Sequence, residues 1–188
     1  MKNLLIAFIT LIMFSGCSVV NIVRMKNAND DIAPVWQENQ SIQLLEAIYI
    51  GDKPYVKAEI NGGEELLFLL DSGASFSILQ DTAKVKSLKL KRGFDLEIGG
   101  WGDDRNTLAY QTGVDEFSFG GVSFSNVKFA FFSLTETPYF ARPDEALYDG
   151  VIGYDIMRHF AWTFNKRDNQ ISISASQYQP VSNDEVKL

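Results

Sequence analysis

One short segment of the chain combines residue types that could do hydrolytic chemistry. Asp71-Ser72-Gly73-Ala74 comes directly after the apolar run Leu66 to Leu70. A run of that length suits a buried strand and is too short for a helix. A carboxylate at the end of such a strand is held in place, and the glycine lets the backbone turn tightly beneath it. Ser72 adds a hydroxyl that can bond nearby backbone or a facing copy of the same loop. A carboxylate so placed can act on a water, provided a second carboxylate faces it. Two such groups in close contact share a proton, because both cannot ionise easily. One then takes a proton from water while the other donates to the attacked carbonyl. The triplet alone is weak evidence. Asp-[Ser/Thr]-Gly arises by chance in roughly one chain in ten of this size, and an ordinary Asp-led turn has the same letters.

The elements that must position this segment read mostly as strands. Tyr55 to Ile60 alternates, and Asn61-Gly62-Gly63 turns the chain into the apolar run. Ser75 to Leu79 reads as the next strand, and Asp81 can cap a short helix over Thr82 to Leu88. Phe94 to Ile98 alternates again and leads to the glycine-rich tip Gly99-Gly100-Trp101-Gly102-Asp103-Asp104. Val114 to Phe119 and Val122 to Phe132 flank Gly120-Gly121 as a hairpin. Ser133 to Tyr148 carries two prolines and reads as a loop, and Tyr154 to Phe160 as two helical turns. Ala161 to Phe164 and Gln170 to Ser174 form a closing hairpin. The predicted architecture is mostly β with two short helices, a closed, barrel-like sheet.

In this context Phe68 to Leu79, Phe-Leu-Leu-Asp-Ser-Gly-Ala-Ser-Phe-Ser-Ile-Leu, resembles the active-site segment of retropepsin-like aspartic proteases. Asp149-Gly150-Val151-Ile152-Gly153-Tyr154-Asp155 resembles the second signature of that family, two aliphatics and a glycine leading into a short helix. The resemblance spans residues 42–175 and implies the single-lobe acid-protease fold. It also implies Asp71 as the catalytic carboxylate, with Ser72, Gly73 and Ala74 as its loop. Val151, Ile152 and Gly153 would pack beside that loop, and Gly99, Gly100 and Trp101 would form a flap. Trp101 reads equally as a surface-packed loop aromatic. Ser72 stands where threonine is commoner in the family and keeps the hydroxyl. The chain has a single Asp-[Ser/Thr]-Gly, so an active enzyme is expected to be a homodimer with one Asp71 from each subunit. Asp149 and Asp155 read as structural, and His159 as a helix-end residue.

Other sequence features bound the function. Lys2 precedes the apolar run Leu4 to Phe14, too short to span a bilayer and right for a signal-peptide core. Met13-Phe14-Ser15-Gly16-Cys17 then resembles a bacterial lipobox, with the only cysteine where lipid would be attached. An ordinary cleaved signal or a short membrane anchor is the other reading. On the lipobox reading residues 1–16 are a leader, 17–41 a lipidated tether, and 176–188 a polar tail. Ser18, rather than Asp, after the cysteine implies the outer membrane, facing the periplasm or the surface. A net charge of -7 and the lack of a continuous basic patch argue against nucleic acid. One His and one Cys give no zinc-ligand set, and no cofactor is expected. The partners expected are a peptide or protein substrate, a membrane through the lipid anchor, and a second copy. Two functions remain open: an endopeptidase, or a non-catalytic lipoprotein that uses the fold to bind a peptide or envelope partner.

Overall fold

The computed structural model describes residues 19–37, 42–99, 107–132 and 148–175. Strands make up 50% of it and helices 15%, so the mostly β expectation holds. An N-terminal helix α1 spans 19–26. The central strands are β4 (Lys53–Ile60) and β5 (Leu66–Leu70), joined by the turn at Asn61-Gly62 and paired antiparallel with Tyr55 opposite Leu69. β6 (Ile78–Gln80) follows the active-site segment, and α2 (Ala83–Ser87) follows β6, with Thr82 rather than Asp81 as its N-cap. β7 (Arg92–Ile98) and β8 (Thr107–Gly113) are an antiparallel pair. β9 (Glu116–Phe119), β10 (Val122–Ser125) and β11 (Lys128–Phe132) come next. β12 (Gly150–Ile152) leads into α3 (Tyr154–Met157), and the hairpin β13 (Ala161–Asn165) and β14 (Gln170–Ser174) closes the described chain.

Three further strands come before β4. β1 (Val35–Trp36) pairs β10, β2 (Ile42–Glu46) pairs β14, and β3 (Ile48–Ile50) pairs β4. The large sheet runs β1-β10-β9-β4-β5-β12-β6-β11-β8-β7 and curls into a half-barrel. The small sheet is β13-β14-β2. The phenylalanines prominent in the composition fill the space inside the curl. Phe117 meets Phe68 edge-on at 5.2 Å between ring centres and Phe129 at 5.3 Å. Each is fully buried, a contribution of about 1.5–3 kcal/mol apiece from apolar burial.

Two further sequence expectations differ from the structure. Val122 to Phe132 is two strands, because Asn126 adopts a left-handed φ of 59° and donates its N–H to the Asp115 carbonyl. β10 therefore pairs back on β9, while β11 crosses to β6 and β8. Within 17–41, expected to be a tether, residues 19–37 are built into the fold. Met25 is fully buried, and Asn29 is 1% exposed. The Asn29 side chain donates to the Lys128 carbonyl and accepts from the Lys128 N–H, both at 2.8 Å, as a neighbouring strand would. The polar residues that suggest a tether are partly the ones that fasten it. Among the described residues no helix is long and apolar enough to cross a membrane. Cys17 and the tail 176–188 lie outside the described residues.

Candidate active site

β5 delivers Asp71 to its position. β12 runs parallel to β5, with Gly150 opposite Phe68 and Ile152 opposite Leu70, and antiparallel to β6 on its other side. The Asp71 N–H donates to the Ile152 carbonyl at 3.1 Å, so the last bond of this ladder fixes the aspartate itself. The chain then turns. The Ala74 N–H donates to the Asp71 carbonyl at 3.1 Å, and the Gly73 N–H donates to Asp71 Oδ1 at 2.9 Å. Asp71 is half-buried, while Ser72 and Gly73 are exposed. The carboxylate is thus held by its own loop and open to solvent on one side.

The second signature lies directly beneath the first. The Tyr154 N–H donates to the Ala74 carbonyl at 2.8 Å, and the Gly153 N–H to Ser77 Oγ at 3.0 Å. Gly153 is required by space. A Cβ there would lie 2.7 Å from the backbone carbonyl carbon and oxygen of Phe76 and 2.9 Å from the Ala74 oxygen. Ser77 in turn donates to Asp155 Oδ1 at 2.7 Å, and Asn29 donates to Asp155 Oδ2 at 2.6 Å. Asp155 also accepts the Ile156 N–H in the first turn of α3. It is 3% exposed and satisfied on both oxygens, as a brace for the loop. Asp149 ties β5 to α2 in the same way. It accepts the Leu67 N–H at 2.9 Å and the Thr82 hydroxyl at 2.6 Å. Both aspartates are structural, but only Asp155 braces the helix from Tyr154 as expected; Asp149 instead fastens β5 to the cap of α2.

Asp71 opens into a cleft of about 360 Å³. Its walls are Gly73 to Phe76 of the loop, Ile78 of β6, Ile98 and Gly99 at the end of β7, and Ile22 and Lys26 of α1. Among the described residues that line it, Asp71 is the one carboxylate. The β7–β8 pair brings Gly99 to the cleft, while Gly100 and Trp101 of the candidate flap lie outside the described residues. Val151 and Ile152 are fully buried beside the loop. A second cavity of about 370 Å³ lies between β1, β4, β9 and β10, lined by residues such as Lys57, Glu59 and Glu116, and Asp71 is not part of it. His159 packs on Phe124 at 5.5 Å and lines neither space. Burial holds its imidazole below the ordinary value, and the Arg158 charge adds to this. Among the described residues no cluster of His, Cys, Asp and Glu could hold a metal ion.

The family profile described as aspartyl protease matches residues 56–156, more than half of the chain. The chain belongs to the aspartyl protease family. Both signatures and the strands that carry them fall inside the matched stretch. Among solved structures the chain is similar to a retropepsin-like aspartic protease from Rickettsia conorii, at 15% identity and a TM-score of 0.46. That match covers 76% of this chain and 91% of the other. No curated protein matches. In this aspartyl protease family member the sequence reading missed Ile22 and Lys26, which line the cleft, and Asn29, which braces Asp155. The signal for the first was available. Ile22 and Met25 are three apart with further apolar residues at 19, 20 and 23, a helical pattern in a stretch that reads as polar overall.

Proposed function

We propose that the protein is an aspartic endopeptidase in which two copies each contribute Asp71 to one proton-sharing pair. The observation that carries this reading is the seat of Asp71. It stands at the end of a buried strand, bonded by Ile152 from the second signature and by Gly73 of its own loop, and it faces a cleft of peptide-binding size. One carboxylate per cleft requires a second copy for the chemistry. The lipobox-like Cys17 supports attachment to the outer membrane, and confinement to a surface would raise the effective concentration of partners. Metal-independent cleavage of peptide or protein is the expected activity. The decisive experiment measures hydrolysis of denatured casein by the full chain and by Asp71→Asn, with sedimentation of both. The expected result is a loss of about a thousand-fold or more in the variant, an unchanged circular dichroism spectrum, and a dimer under assay conditions. A strictly monomeric chain that still cleaves would overturn the paired mechanism.

A second reading is favoured by the lone carboxylate in the cleft and by the presence of α1 as one of its walls. In that reading the protein binds a peptide or envelope partner without cleaving it. It predicts a monomer whose peptide binding is indifferent to Asp71→Asn.

A further inference from the structure

α1 has two distinct faces. Ile22 and the fully buried Met25 point into the domain, and Ile22 and Lys26 line the Asp71 cleft. On the other side Val19, Val20 and Val23 are 65%, 55% and 51% exposed. At helical spacing Val19, Val23 and Val20 follow one another across an arc of roughly 100°. Lys26 flanks that arc on one side and Arg24 on the other. The helix is fixed to the domain, not loosely appended. Asn21 donates to the Asp95 carbonyl of β7 at 2.9 Å, Arg24 lies over the Phe94 ring at 4.4 Å, and Arg158 pairs with Asp30 at 3.0 Å just beyond the helix. Three exposed valines between two cations, on a rigid helix, are the pattern of a surface that lies in a lipid interface.

We propose that α1 seats on a bilayer through Val19, Val20 and Val23 and so sets the Asp71 cleft at the membrane surface. What comes just before α1 in sequence singles out lipid as the occupant. Cys17 is two residues before α1, and the apolar run Leu4 to Phe14 lies just ahead of it. Lipid on Cys17 or retention of that run would each bring Val19 to the edge of a bilayer. Stable seating takes two signals, and the valine arc with its cations supplies the second. The alternative occupant, a second copy, fits poorly. Three valines cover a small fraction of the ~800 Å² per partner of a stable interface. The valines and the cleft-lining Ile22 lie on different faces of a helix about 10–12 Å across with its side chains, which keeps the cleft within that reach of the lipid. The substrate class that follows is polypeptide close to a bilayer: the membrane-proximal segments of anchored proteins. This last step rests on the protease reading, and the seating does not.

The test uses the full chain reconstituted in phosphatidylethanolamine–phosphatidylglycerol vesicles. The photoreactive residue p-benzoylphenylalanine is placed at Val20, at Val23 and, as a control, at Glu64, in the turn at the opposite end of β5 from Asp71. Lipid adducts at positions 20 and 23 and none at 64 are expected. Adducts to a second copy at 20 and 23, equal lipid labelling at 64, or no lipid adduct would each overturn the seating. The substrate step is read with a casein-derived segment tethered to the same vesicles, either directly beside the lipid or on a long flexible spacer. Wild type is expected to cleave the short tether about tenfold faster, and V20D/V23D to lose that preference while cleaving the spaced form normally. No preference in wild type would overturn the substrate class. No cleavage of either form would sink the protease reading and leave the lipid adducts to decide the seating.

Discussion

At the scale of single residues, the active-site loop depends on buried polar groups that never touch the cleft. Ser77 is fully buried and does two things at once, accepting from Gly153 and donating to Asp155. Ser77→Ala therefore leaves the Gly153 N–H without an acceptor and removes one donor from a buried carboxylate. Each unmet buried group costs about 1–3 kcal/mol. Calorimetry should show a clear drop in Tm, and an unchanged Tm would mean that water or a shifted backbone replaces the hydroxyl. Gly153→Ala is expected to be worse. Its methyl would meet the Phe76 and Ala74 backbone, which cannot move without displacing the loop that carries Asp71. Loss of cleavage with a partly retained fold is the outcome to look for, by activity and circular dichroism on the same sample. Neither effect can be read from the sequence as a distance, but the glycine and the small residues around it were visible as a pattern.

At the scale of elements, β12 is the piece that makes the site. Three residues long, it joins β5 and β6 and hands its last carbonyl to Asp71. Asp149 precedes it and fastens it to α2 through Thr82, whose Oγ1 also caps that helix by accepting the Val85 N–H. Thr82→Val removes both bonds and is expected to cost ~1 kcal/mol or somewhat more, measured by urea denaturation with the m-value held constant. The strands and the order of the two signatures were legible because apolar runs and glycine turns are local signals. Asn126 was not, since a left-handed asparagine inside a run of alternating residues looks like any other strand position. The segment 19–37 was not, because its fastening is through Asn29, 99 positions from Lys128 and 126 from Asp155. A polar residue that bonds across such a separation has the same local surroundings in sequence as one that faces water.

For the whole molecule, burial around α3 makes stability depend on pH in a definite direction. His159 packs on Phe124, and its buried Nε2 has no hydrogen-bond partner among the described residues. Burial first and the neighbouring Arg158 second push its proton affinity below the ordinary value of 6.5, with the Asp155 charge opposing them more weakly. The unfolded chain, freed of that environment, takes up a proton near 6.5, while the folded chain resists until the pH is lower. More protons bound in the unfolded state means that stability rises with pH across that window. The contribution is present above 6.5 and is lost as the pH falls through the lowered value in the folded state. Asp52, whose carboxyl is held below its ordinary value by the hydrogen bond and charge of Lys166, acts in the same direction at lower pH, so the histidine is best isolated between pH 7 and pH 5. Wild-type Tm should fall over that range, and His159→Phe, which keeps a ring against Phe124, should flatten the fall without changing its sign below pH 5. Equal slopes for the two proteins would mean that the imidazole is solvated when charged, and that the pH response of the fold comes from other groups.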